Sequence, residues 1–197
     1  MGDREMSTDS LHSSAVELLR SWNTQAPEQD SLRHAYLAFL DAQPNACLRR
    51  SVPGHLTAST IVFDATHTHV LLTLHPRVGK WIQLGGHCEE SDDSIADAAL
   101  REAREESGID DLTLGALAQL HTHPITCSLG VPTRHLDVRF AAVAPPQPDG
   151  KLPHFDISSE SDDLRWWPVD ALPHDDGTEI ESLVAAALAQ LAARQQG

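Results

Sequence analysis

The stretch "LREAREESGI", Leu100 to Ile109, sets Glu102, Glu105 and Glu106 on the last turns of a helix that Gly108 is about to stop. Carboxylates three and four residues apart share one helix face and repel each other there, and near the C-terminus they oppose the negative end of the macrodipole. Stability does not ask for this cluster. On a wheel of about 100 degrees per residue, Ile95, Ala98, Ala99, Glu102 and Glu106 fall within one arc, so two of the acids continue the stripe that should face a sheet. Asp97 and Arg104 point away from it, while Arg101 and Glu105 lie at its border, spaced to pair. An inward carboxylate is costly unless paired or metal-bound, and three near one point would hold protons or a cation. Mg²⁺ suits them, because it prefers oxygen ligands and keeps waters for a phosphate to displace. The competing reading is a solvated helix face, where Glu-Glu pairs are common.

The flanks favour the metal. Upstream, "GKWIQLGGHCEESDDS", Gly79 to Ser94, reads as an apolar strand, a Gly-Gly turn, an acidic loop and then Asp93 or Ser94 as helix cap. Downstream, Gly108 followed by Ile109 fits a left-handed helix stop with an apolar clamp.

Composition narrows the class. The 197 residues suffice for one full domain with an appendage, and 41% of them are hydrophobic, as in a globular chain. A formal charge of −15 disfavours a nucleic-acid backbone or an anionic membrane as main partner, so an anionic ligand would need a mediating cation. Cys47, Cys88 and Cys127 lie far apart and form no Cys-x-x-Cys pair, which reads as reduced thiols. The polar start "MGDREMSTDS" lacks the apolar core of a signal peptide, and no stretch approaches the ~20 apolar residues of a membrane span. The cytoplasm is the expected location.

Helical spacing of apolar residues marks Ser13 to Trp22 (Val16, Leu18, Leu19) and Leu32 to Leu40 (Leu32, Ala35, Tyr36, Phe39, Leu40), with Asp30 or Ser31 as cap of the second helix and Pro44 as its end. Residues 1–54 thus form a helical arm, and 55–197 the main domain. From His55 the pattern turns to strands. "LTASTIVFD" and "THVLLTLH" flank "ATHT" as a hairpin or adjacent strands, and "LTLGALAQLHTHPI" and "HLDVRFAAVA" are further strands, the last alternating as if half buried. "APPQPDGKLP" is a loop, "LRWWPV" a short strand, and about Thr178 to Arg194 a final helix with Ile180, Leu183, Val184, Ala187, Leu188 and Leu191 on one stripe. Strands with two helices imply an α/β sandwich.

The carboxylate helix and its flanks resemble the Nudix hydrolase family (MutT-like), whose signature runs Gly, five residues, Glu, seven residues, then Arg-Glu-apolar-x-Glu-Glu-x-Gly-apolar. Arg101, Glu102, Ala103, Glu105, Glu106, Gly108 and Ile109 match the second half without a gap, placing the motif at about 85–109. In the first half Asp93 takes the Glu position, separated from Gly86 by six residues rather than five, as if the "HCEESD" loop were one residue longer. The resemblance implies an α/β/α sandwich with a mixed sheet. It also implies water attack at phosphorus in a nucleoside diphosphate linked to another moiety, a small nucleotide-like substrate. Glu102, Glu105 and Glu106 would hold Mg²⁺ or Mn²⁺, with the Gly85 carbonyl as a further ligand, and Arg101 would order the carboxylates. Glu105 or a later acid would take the proton, Glu160 being our choice over Asp156, Asp162 and Asp163. Homodimers are frequent in the family.

Other residues carry weaker signals. His87 beside Cys88 would line the active-site loop, and Arg77, Lys80, Arg134 and Arg139 are candidate phosphate contacts, with solvated surface the default for each. His121 and His123 could bind a transition metal, but two strand-end residues are the plainer reading. Trp81 reads as strand packing rather than a base platform. Rival functions are a non-catalytic nucleotide-binding or regulatory module on the same fold and an isomerase of the isopentenyl-diphosphate type. The intact carboxylate set favours the hydrolase, and "HPITCSLG" supplies no recognisable cysteine and glutamate pair for the isomerase.

Overall fold

A computed structural model describes residues 2–126, 130–148, 150–159, 161–174 and 179–194. Its elements run α1 (Gly2–Ser21), α2 (Pro27–Ala42), β1 (His55–Phe63), β2 (His69–His75), β3 (Lys80–Ile82), β4 (Leu84–His87), α3 (Ile95–Ser107), β5 (Thr113–Thr126), β6 (Pro132–Val143), β7 (Asp163–Pro168) and α4 (Ile180–Arg194). Among the described residues the strands form one seven-stranded sheet in the order β3-β2-β1-β6-β5, with β4 paired to β1 and β7 to β2. The fold is α/β with a mixed sheet. Two compact units divide the chain: Met1–Ala58, Gly86–Ala99 and Gln119–Val138 make one, and Ser59–Gly85, Leu100–Ala118 and Arg139–Gly197 the other.

In the first unit, α1 buries Leu11, Ala15 and Leu19, one residue per turn, against α2, which buries Tyr36 and Leu40. Both helices start earlier than apolar spacing indicates. The first turns of α1 are polar and carry no stripe, and α2 opens on Pro27 at its first turn, where a missing N–H costs nothing. Its N-cap is Ala26, without a side-chain cap, while Asp30 pairs with Arg33 at 2.7 Å. At the other end Gln43, before Pro44, is extended, as proline requires of its predecessor. The arm then satisfies backbone groups elsewhere. Gln29 brackets Leu120 on β5, its Nε2 donating to the Leu120 carbonyl (3.2 Å) and its Oε1 accepting from the Leu120 amide (2.7 Å). Because β5 ends the strand order, this side chain occupies part of an open sheet edge. The Tyr36 hydroxyl reaches the His121 carbonyl at 2.7 Å, and Ser14 Oγ accepts the Ile95 amide (3.0 Å), one of the orphan donors at the start of α3.

The second unit shows how the alternation of strands builds two layers. Ile61, Phe63, Val70 and Leu72 pack with Ile180, Leu183, Val184, Ala187 and Leu191 of α4, whereas their neighbours Val62 and Leu71 pack with Leu84, Ala103, Ile109 and Leu112 on the other face. β1 and β2 are antiparallel, with Val62 opposite Leu71 and Phe63 opposite Val70. Their turn is closed by Asp64, whose carboxylate accepts the amides of Thr66 (2.9 Å), Thr68 (2.8 Å) and His69 (2.7 Å) and the Thr66 hydroxyl. Burial works against that carboxylate's charge, but these bonds outweigh it and hold the group below the usual carboxylate range.

Two further expectations need correction. β6 is not half buried: Leu136 to Ala142 are all buried, including Asp137 and Arg139, because β6 is an interior strand and Asp137 is satisfied by the Thr57 hydroxyl at 3.0 Å. Gly85 and Gly86 are not a turn. They lie within β4, where Gly85 adopts φ 143°, a conformation open to glycine. The expected start of the last helix at Thr178 lies outside the described residues, as does Cys127. Cys47 and Cys88 are buried thiols outside any disulfide, and burial pushes Cys47 up to about 12. No helix among the described residues is long and apolar enough to cross a membrane.

Candidate active site

Helix α3 is bounded as its local chemistry requires. Ser94 Oγ accepts the Asp97 amide at 3.1 Å, so Ser94 rather than Asp93 supplies the cap side chain. At the far end Gly108 has φ +67° and its amide returns to the Arg104 carbonyl at 2.8 Å, while Ile109 turns into the core beside Ala103. A Cβ on Gly108 would stand 2.9 Å from Asp156 Cβ, so the stop admits no side chain on two grounds.

Between these bounds the three carboxylates are graded by exposure. Glu106 is 6% exposed, the side chain of Glu102 13% and that of Glu105 59%. The inward arc therefore does carry Glu102 and Glu106. Glu106 Oε2 accepts the backbone amide of Gly85 at 2.9 Å, which fixes its rotamer. Arg101 Nη1 donates to Glu102 Oε1 at 3.0 Å and to Glu105 Oε2 at 3.1 Å, so one guanidinium holds two acids that would otherwise repel. All five residues belong to the second unit. The Gly85 bond to Glu106 joins residues 21 apart, and no local pattern signals it; the Arg101–Glu105 pair, four apart, was legible.

The other candidates are more scattered. Glu160 lies outside the described residues. Of its competitors, Asp163 pairs with Arg165 at 3.1 Å, and Asp156 sits against Gly108 with its amide on the Ser107 carbonyl at 2.8 Å. Arg77 is exposed in the β2–β3 turn, its amide on His75 Nδ1 at 3.2 Å; Lys80 opens β3, partly buried. Arg134 is exposed, with Nη1 on the Thr133 carbonyl (3.0 Å), whereas Arg139 is buried, contrary to a solvated default. Trp81 is indeed strand packing: it meets Trp167 edge-on, with centroids 5.3 Å apart, and lies on the α4-facing core. His87 accepts a hydrogen bond from Arg49 Nη2 at Nδ1, 2.8 Å away. His121 and His123 stack with centroids 5.5 Å apart near the end of β5.

The donor set on α3 is oxygen only and anionic, which fits a hard divalent cation and does not fit a thiophilic one.

Comparison with known proteins identifies the family. A family model for the NUDIX domain matches residues 53–187. Similar solved structures include a NUDIX-family hydrolase from Clostridium perfringens, 25% identical with a TM-score of 0.50 over 71% of this chain and 97% of that one. An Ap4A hydrolase from C. elegans, solved as a binary complex, is 23% identical with a TM-score of 0.52 over 70% of this chain and 98% of that one, a likeness of fold. A search of curated proteins found no match.

Proposed function

The chain belongs to the Nudix family and is a Nudix pyrophosphohydrolase, and from that premise we propose that it cleaves the diphosphate linkage of a nucleoside diphosphate joined to another moiety, with Mg²⁺ or Mn²⁺ held by Glu102, Glu105 and Glu106. The observation that carries this reading is the held geometry of the acids. A buried Glu106 tied to the Gly85 amide and an Arg101 bonded to both Glu102 and Glu105 hold three negative groups in place along the last turns of α3. When bound, the cation would offset the charge of the diphosphate and activate the attacking water.

The residues themselves do the positioning. Glu106 is fixed by a main-chain donor, so its carboxylate is placed without a rotamer search. Arg101 lowers the cost of bringing Glu102 and Glu105 together, and one of its two ion pairs is lost if either acid swings away. Glu105, the most exposed of the three, is the acid best suited to exchange a proton with solvent; Glu160 is the second candidate for that role. The Gly85 carbonyl is proposed as a further oxygen ligand. The net charge of −15 supports a small substrate over a nucleic-acid polymer, and a cytoplasmic location accords with reduced Cys47 and Cys88.

The test is product release from a panel of dinucleoside polyphosphates, nucleotide sugars, nucleotide cofactors and nucleoside triphosphates, with and without Mg²⁺ or Mn²⁺, for the wild type and Glu106→Gln. Metal-dependent cleavage lost in the variant supports the proposal and names the substrate class. Binding of a panel member without turnover would instead assign a binding module.

A further inference from the structure

The first unit gathers imidazoles that the carboxylate site does not use. His55 opens β1, His87 ends β4 and His135 lies in β6. One nitrogen of each lies within 4.8 Å of those of the other two. Their ring centroids form a nearly equilateral triangle, 5.1 Å for His55 to His87, 5.0 Å for His55 to His135 and 5.0 Å for His87 to His135. His55 is 1% exposed, and among the described residues neither its Nε2 nor that of His135 has a hydrogen-bond partner. Buried polar nitrogens are ordinarily paired, so two orphans in one cluster need a reason.

The protonation pattern supplies one. His55 Nδ1 lies 3.2 Å from the Ser51 carbonyl, which can only accept, so Nδ1 carries the proton and Nε2 presents a lone pair. Metal-ligating histidines are commonly held in this way, with the other ring N–H on a carbonyl. Arg49 can only donate, so His87 Nδ1, which it meets at 2.8 Å, also presents a lone pair. For His135, burial, the His123 and His55 rings and Arg49 outweigh the pull of Asp137 and lower it to about 4, leaving the ring neutral near pH 7. Burial likewise lowers His55, with Arg49 adding to the effect and the Ser51 bond opposing it.

We propose that His55, His87 and His135 form a binding site for a borderline transition-metal ion of the Zn²⁺ class, distinct in donor chemistry from the carboxylates of α3. Neutral imidazoles select Zn²⁺, Co²⁺, Ni²⁺ or Cu²⁺ over Mg²⁺, and three of them leave a fourth position for water or for His123, whose ring lies 5.1 Å from that of His135. Tetrahedral ligation at about 2.1 Å brings nitrogens to roughly 3.4 Å from one another, a closure of about 1.4 Å or less that small ring rotations provide. The exposed Arg49 holds a positive charge at the cluster and must withdraw as the ion enters. Sequence alone singled out His121 and His123, adjacent along one strand. The stronger set comes from three strands, and His55 and His135 are 80 positions apart.

The test is titration of the full, metal-stripped protein with Co²⁺ in excess Mg²⁺, read by visible absorption and by calorimetry. We expect the intense bands of four-coordinate Co²⁺, saturating at about one equivalent and erased by Zn²⁺. His135→Gln and His87→Asn each weaken binding by at least about tenfold, and His12→Gln leaves it unchanged. Arg49→Ala strengthens binding, an effect that mere ring packing would not produce. His87 is only partly buried, so His87→Asn keeps the test valid if His135→Gln fails to fold. Absent Co²⁺ bands at millimolar metal, or bands unchanged in folded His87→Asn, overturn the site.

Discussion

The Gly85 amide donates to Glu106 Oε2 at 2.9 Å, so the short strand β4 and the last turn of α3 are locked through one carboxylate. Glutamine at 106 keeps an oxygen for that amide but loses the charge. We predict that Glu106→Gln unfolds within a few degrees of the wild type while turnover falls by at least about 100-fold, as when a charge-stabilising group is removed from other sites. Thermal melts beside initial rates check this. A variant that is unfolded, or fully active, contradicts the assignment.

Arg101 should act through the acids it orders. Arg101→Lys retains the charge but has a shorter, more flexible reach than the rigid guanidinium that sets Nη1 between Glu102 and Glu105. The expected result is a shift of the Mg²⁺ activation curve to higher concentration, by about 10- to 100-fold, with a smaller change in the rate at saturating metal. A lowered rate at every metal concentration, with the midpoint unmoved, would count against a positioning role.

Gly108→Ala meets both a left-handed φ of +67° and Asp156 Cβ at 2.9 Å. A loss of about 1–3 kcal/mol in chemical denaturation is expected. Pairing it with Asp156→Gly separates the two causes: that second change relieves the contact and leaves the backbone strain.

Asp64 links the β1–β2 turn to pH. Its carboxyl lies below the ordinary range when folded, so its contribution is fully present above pH ~4 and lost as pH falls through the folded value. Asp64→Ala leaves the amides of Thr66, Thr68 and His69 without their acceptor and should cost about 1–3 kcal/mol at pH 7. Below pH 4 the gap between variant and wild type should narrow; urea titrations at pH 7 and pH 3 measure it.

What was legible in the sequence was local. Ser94, Gly108 and the Arg101–Glu105 pair announce themselves because partners lie within four residues along one helix. The α/β class followed from the change of apolar period at His55. What was hidden depends on pairing across the sheet. Polar Asp137 and Arg139 made β6 look wet on one face, since alternation cannot reveal that Thr57, 80 positions earlier, waits for Asp137. The Gly-Gly pair read as a turn because glycine marks turns and unusual strand backbones alike. The helical arm's stripes showed that it packs, but only the structure shows Gln29 on the backbone of Leu120.

The pairing of β2 with β7 runs through six successive positions, from His69 opposite Pro168 to Leu74 opposite Asp163. It joins segments roughly 90 or more residues apart, a closure whose entropy is repaid only late in folding. A nascent chain that has emerged only through α3 therefore exposes β2 with this edge unpaired, although β1 is already available to it. During synthesis that edge, like the β6-facing edge of β1, is open to pairing with another chain until its own partner strand emerges.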